Sequence, residues 1–429
     1  MPLWASCAVH PSLCRSRIVS PATAGILLSA VASVLSLSLS GGAQSAVREQ
    51  VIYSFSVSGN CFSPLAPLIA DAQGNLYGTA SGGSTSYPGC VFELSPNGDG
   101  TWTEKSIHLF DVNNGYQPGA ALVFDKAGNL YGTAGSGGLY GAGVVFELSP
   151  ITGGEWTDSI LYNFGRSGDG VNAATEVVFG PDGSLYGATE FGGSAGCGIV
   201  YKLSFSLGAW SETILHDFAN STQDGCNPRG GVVFDSRGRL YGTTSGGGAQ
   251  GFGTVYELTR SGDGSYREHL IHNFSGADGA LPLSTLVIDG GGRLYGTSFD
   301  GGNLTACAGG CGTVFKLTNS GGKWLERVLY AFSGSDGEDA VGPVVFDREG
   351  NLYAAAAHGG GTSSNGVIFR LTPQADATWK QTVLHKFPWP STGDGAAPCA
   401  GLILRGGELF GTTLLGGVSN SGAVVSISH

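Results

Sequence analysis

Residues 121–133 read Ala-Leu-Val-Phe-Asp-Lys-Ala-Gly-Asn-Leu-Tyr-Gly-Thr, and this stretch decides the fold. Ala121 to Phe124 is a short continuous apolar run, as in a strand buried on both faces. Asp125 opens a tight hairpin, Gly128 supplies its positive φ, and Leu130-Tyr131-Gly132-Thr133 is the returning strand. A glycine-rich loop leads to a third strand, Val144-Val145-Phe146-Glu147-Leu148, and Pro150 to Glu155 turns the chain into a fourth, Trp156 to Phe164.

Working outward, the Leu-Tyr-Gly-Thr motif recurs every 54 to 58 residues, its aromatic falling at Tyr77, Tyr131, Tyr186, Tyr241, Tyr295, Tyr353 and Phe410. Repeats of this length built only from strand signals are propeller blades. The fourth strand carries two aromatics eight residues apart, as in Trp102/Phe110, Trp156/Phe164 and Trp324/Phe332. An even separation predicts that both rings share one face and pack on a neighbouring blade. The last repeat ends after three strands, and Val47 to Phe55 carries the missing fourth-strand pattern. The expected fold is therefore all-β, a seven-bladed β-propeller of four-stranded blades whose last blade is closed by the N-terminal strand.

The 429 residues include 75 glycines and only 13% charged residues, with 10% aromatics for the core. Arg15 and Arg17 precede an apolar run from Ala24 to about Leu37, followed by small residues to Ala43. This reads as a Sec-type signal peptide over 1–43, leaving 44–429 as the propeller. The expected location is secreted, extracellular or periplasmic, with no membrane anchor and a monomeric chain. A formal charge of −12 excludes a nucleic-acid partner, which needs a basic patch.

The run Gly74-Asn75-Leu76-Tyr77-Gly78-Thr79, the later Gly253 to Leu258 and Gly312 to Leu317, and the Asp394-Gly-x-x-Pro398 motif resemble the GloVer (Gloeo/Verruco) tandem repeat of bacterial secreted and surface proteins. The resemblance spans Val47 to the C-terminus. It implies fold and location, and no reaction.

In such blades the fourth-to-first and second-to-third connections emerge on one face, and here these are the long loops. All cysteines after residue 43 fall in them. Cys197 with Cys226 is the expected disulfide, with Cys61–Cys90 and Cys307–Cys311 as further pairs, which leaves Cys399 odd and its pairing open. No metal site is expected, because the Cys307-x-x-x-Cys311 spacing has no companion ligands nearby. No cofactor is expected either. The Asp-Gly pairs at Asp169, Asp224, Asp278, Asp336 and Asp394 read as loop-bracing side chains, with weak calcium binding as their alternative.

His108, His216, His272 and His385 recur at one repeat position that holds Tyr53, Tyr162 and Tyr330 elsewhere. Exchange of His with Tyr suits a ring whose polar tip is satisfied between blades. Aromatics outside the repeat pattern are the ligand-binding candidates: Trp389, Tyr116, Tyr140, Phe191, Phe252 and Phe299. For catalysis the candidates are His358, Glu338 and Asp339, placed to meet near the channel mouth as acid–base chemistry requires.

The expected function is a binding or scaffold module for carbohydrate or another cell-surface polymer, acting through the long-loop face. The alternatives are an extracellular polysaccharide lyase or glycoside hydrolase at the channel mouth, and a purely structural surface protein.

Overall fold

A computed structural model describes residues 47–428 apart from 60, 84–87, 363 and 389–392, so the leader read at 1–43 and Trp389 lie outside the described residues. Seven antiparallel four-stranded sheets form a ring of blades. Blade 2 shows the unit: Val123–Phe124, Leu130–Ala134, Val144–Pro150 and Trp156–Asn163, paired in that order. The hairpin between its first two strands is built as expected. Asp125 Oδ1 accepts the Asn129 N–H at 2.9 Å, and Gly128 sits at φ 90°. Such short Asp-anchored turns recur around the face opposite the long loops.

Blade 7 combines Ile403–Arg405, Glu408–Thr413 and Ala423–Ser428 with Arg48–Ser54 from the other end of the chain. Glu49 pairs with Ile427 and Val51 with Val425. This pairing covers the edge that the last repeat would otherwise leave open.

One expectation about the fourth strand is corrected. In every blade the ladder between third and fourth strands slips by one residue, as between Ile160 and Tyr162 in blade 2. The extra residue is aliphatic each time: Ile52, Ile107, Leu161, Leu215, Ile271, Leu329 or Leu384. A bulge of one residue inverts the alternation beyond it. Trp156 and Ile160 therefore pack into the core between blades 1 and 2, while Tyr162 and Phe164 pack into the core between blades 2 and 3. The two aromatics of the pattern face different neighbours.

A second irregularity ties the ring together. Each inner strand enters through one non-glycine residue in the left-handed region: Ser63, Gln117, Asn172, Asn227, Leu281, Asp339 and Ala397, with φ between 51° and 62°. Its N–H reaches a carbonyl in the preceding blade, as Asn227 to Cys197 at 2.8 Å and Ser63 to Ser421 at 2.9 Å. The backbone strain is thus offset by an inter-blade hydrogen bond at all seven junctions.

All three expected disulfides form: Cys197–Cys226, Cys61–Cys90 and Cys307–Cys311. The first two join a second-to-third loop to a fourth-to-first loop. They mark an oxidising extracellular or periplasmic environment. Among the described residues no helix is long and apolar enough to cross a membrane.

Candidate functional site

The inner strands converge on an axial cavity of about 130 Å³. Its wall is mostly small or apolar, with Leu65, Pro67, Ala174, Leu283, Val341 and Pro343 among the lining residues. Two charged features interrupt it. Arg229 is ion-paired with Glu190, whose other carboxylate oxygen accepts from Asn172 Nδ2 at 2.8 Å. Glu176 reaches into the channel, where burial pushes its carboxyl up against the opposing effect of a hydrogen bond with Thr285. A Cβ on Gly231 would lie 2.5 Å from Glu176 Cγ, so the glycine leaves room for this side chain. The other sector of the mouth is an apolar plug in which Phe299, Val341 and Ala357 pack with Leu281 and Leu283. Phe299, expected among the ligand-facing rings, is 8% exposed and belongs to this plug.

The three catalytic candidates meet in part. His358 Nδ1 lies 2.8 Å from Asp339 Oδ2, and Glu338 is the ladder partner of His358. Asp339 is the left-handed residue of its inner strand, which turns its carboxylate toward the histidine beside the plug. The imidazole is half-exposed, so the dyad opens to solvent.

The rings are distributed unequally. Tyr116 is half-buried, its backbone paired with Ser136. Tyr140, Phe191 and Phe252 are exposed, on the second-to-third loops of consecutive blades 2, 3 and 4. A Cβ built on Gly276 would lie 3.5 Å from the Phe252 ring, so the ring stands beside this glycine. Tyr140 stands at a surface groove of about 400 Å³ along the seam between blades 2 and 3. Leu139, Tyr162, Arg166, Trp210 and Glu212 complete the groove. Arg166 lies over the Tyr140 ring at 5.6 Å, and its Nε donates to the phenol oxygen at 3.3 Å. The groove floor holds Tyr162, whose hydroxyl lies 3.1 Å from both Asp169 Oδ2 and Glu212 Oε2. A phenol has one proton for two carboxylates. The second contact is satisfied by a proton that burial and Asp169 hold on Glu212, whose pKa is pushed up to about 8.

The sequence reading missed Arg166, Trp210 and Glu212 as a site. A signal was present: Arg166 and Arg229 are the two cations in the fourth-to-first loops, and one lines the groove while the other lines the channel.

The recurrent histidines and tyrosines line up around the ring because of the bulge. Each faces the polar residue two positions after the fourth-strand aromatic of the next blade. Tyr53 meets Glu104, and Tyr162 meets Glu212. His216, His272 and His385 meet Glu268, Glu326 and Glu49, together with Asp224, Asp278 and Asp394 from the Asp-Gly loops. The aspartates also brace their loops, as Asp224 accepts the Ala219 and Gly225 N–H groups at 2.8 and 2.7 Å.

The blade count, the closure by the N-terminal strand and the one-sided loops define a repeat-built seven-bladed propeller. The chain belongs to the Gloeobacter/Verrucomicrobia repeat family, whose model matches residues 32–222 and 173–425. No curated protein matches it in sequence. Among solved structures it is similar to a polysaccharide lyase, an ulvan lyase, with a TM-score of 0.55 and 11% identity over 88% of this chain and 95% of that one. It is also similar to a puromycin-hydrolyzing peptidase of Mycobacterium tuberculosis, with a TM-score of 0.50 and 12% identity over 87% of this chain and 53% of that one. At these identities the likeness is one of fold.

Proposed function

We propose that this chain is an exported binding module that holds carbohydrate in the groove between blades 2 and 3, where it opens onto the long-loop face. One observation carries the reading: the groove combines an exposed Tyr140 with Trp210, Arg166 and Glu212 in about 400 Å³. Ligand sites usually occupy roughly 300–1,000 Å³, a range the axial cavity does not reach. A flat ring offers its face to the apolar face of a sugar, while the guanidinium and carboxylate pair with hydroxyls. Export rests on the leader read at 1–43 and on the disulfides, and the N-terminal sequence of the protein recovered outside the cell tests it.

The binding test is a titration with a panel of soluble polysaccharides. Tyr140→Ala is expected to weaken binding about tenfold, or ~1.4 kcal/mol. Leu325→Ala, an exposed apolar side chain on the fourth strand of blade 5, is expected to leave it unchanged. Equal effects of the two substitutions would remove the groove from consideration.

A second reading rests on the 2.8 Å contact between His358 and Asp339. A carboxylate that orients an imidazole with its other nitrogen toward solvent is the arrangement of a general base. That reading makes the chain a lyase or hydrolase acting at the channel mouth.

A further inference from the structure

Among the described residues, three junctions around the ring bring an imidazole and two carboxylates to one point. The groups are His216/Asp224/Glu268, His272/Asp278/Glu326 and Glu49/His385/Asp394, each with its nitrogen and oxygen donors within 4.8 Å of one another. At the second and third of these the polar atoms are poorly served by the protein. His272 Nε2 lies 3.2 Å from Asp278 Oδ2 without the alignment a hydrogen bond needs, and His385 Nε2 is 3.6 Å from Asp394 Oδ2. These two nitrogens are shielded from solvent and have no hydrogen-bond partner, which sets them apart from His216; Glu326 Oε1 and Glu49 Oε1 are unpartnered too, a feature shared by Glu268 and Glu212. Acceptors and lone pairs turned toward a shared point are waiting for a cation.

We propose that the His272/Asp278/Glu326 and Glu49/His385/Asp394 clusters are binding sites for a divalent transition-metal ion of the zinc type. One imidazole nitrogen and two carboxylate oxygens form a donor set suited to such an ion. Ligands about 2.0–2.2 Å from a tetrahedral ion stand roughly 3.3–3.6 Å from one another. The 3.2 and 3.6 Å nitrogen–oxygen separations already lie near this range. Hard ions such as calcium prefer six or more oxygen ligands and fit the set less well.

The ring contains its own comparison. At the equivalent junction of blades 2 and 3, Tyr162 replaces the histidine and its hydroxyl approaches both carboxylates at 3.1 Å. At the junction of blades 5 and 6, Tyr330 pairs with Asp336 and the partner acid is replaced by Gln381, which donates to the Asp336 carbonyl at 3.0 Å. A hydroxyl proton serves where tyrosine stands, the hydrogen bond between His216 and Asp224 serves at the first cluster, and a metal ion serves at the two clusters whose imidazole nitrogen has no such bond. The third cluster has a structural consequence. Glu49 comes from the first strand of the described chain, while His385 and Asp394 come from blade 6 and the loop entering blade 7. A bound ion there clasps the strand that closes the ring.

The test uses the purified chain stripped with a chelator, dialysed and exposed to zinc alone, with bound metal counted by mass spectrometry. At least two equivalents are expected. His272→Tyr with His385→Tyr installs residues that the same ring position already accommodates in Tyr162 and Tyr330, and is expected to lower uptake by two equivalents while the fold, followed by circular dichroism, is retained. Tyr162→His is expected to add a site beside Asp169 and Glu212. Cobalt substitution is expected to give visible absorption that the double variant lacks. Uptake below one equivalent, or uptake unchanged in a folded double variant, overturns the proposal and assigns the clusters to proton sharing alone.

Discussion

Trp156 and Phe164 belong to one continuous run of the chain yet serve different cores. Trp156 meets Tyr77 of blade 1 at 6.2 Å, and Phe164 meets Tyr201 of blade 3 at 4.9 Å. The bulge at Leu161 separates them. Double-mutant cycles are therefore expected to give about 0.5–1.5 kcal/mol of coupling for Phe164 with Tyr201 and none for Trp156 with Tyr201. Denaturant melts of the single and double variants provide the measurement. Coupling of Trp156 to Tyr201 would contradict the assignment of faces.

The disulfide between Cys197 and Cys226 joins loops of blades 3 and 4 across 29 residues. In the loop-entropy view its loss lowers stability by about 3–4 kcal/mol. Replacing both cysteines with alanine is expected to lower the denaturation midpoint. The midpoint of the variant should then respond less than that of the parent to added reductant. Cys307–Cys311 closes a much shorter loop and is expected to contribute less.

Stability is expected to fall as pH rises from about 4.5 to about 8. Burial beside a second carboxylate pushes Glu49 and Glu212 up to about 8, and burial pushes Glu268 and Glu326 up to about 7. A carboxyl raised in the folded state binds a proton there that the unfolded chain has already lost. The folded state is thus favoured below the unfolded pKa, and that advantage disappears as pH passes the folded value. Melting in metal-free buffer across this window measures the effect, and Glu212→Gln is expected to flatten the slope. A midpoint that climbs from pH 5 to pH 8 would contradict it.

Glu176 stands in the channel with its carboxyl pushed up by burial, and Gly231 gives it room. Glu176→Gln keeps the shape without the cost of ionisation and is expected to hold or raise stability at neutral pH. Gly231→Ala forces the side chain aside and is expected to destabilise, an effect relieved in the Glu176→Ala background. Thermal melts of the three variants check this.

The blade count, the closing strand and the three disulfides were legible in the sequence because each follows from a pattern that repeats: the Tyr131 motif, the Val47 to Phe55 remnant and the loop positions of the cysteines. The orientation of the fourth strand was not. A bulge at Leu161 carries no glycine or proline to announce it, and one extra aliphatic residue reverses every side chain beyond it. The His/Asp/Glu clusters were hidden for the same reason, since without the bulge nothing in the repeat shows which acid of the next blade each histidine meets. The groove was legible only in part: Tyr140 and Arg166 depart from the repeat, whereas Trp210 and Glu212 obey it. His358 and Asp339 were found because both break the pattern.

The measurement that bears most directly on function is incubation of the chain with a panel of polysaccharides, following retention and product release together. Retention on at least one polysaccharide, reduced about tenfold in Tyr140→Ala and in Arg166→Ala without any release of product, is the result expected of a binding module. Product release that vanishes in His358→Ala while retention survives Tyr140→Ala would contradict it, and would place the function at the channel mouth.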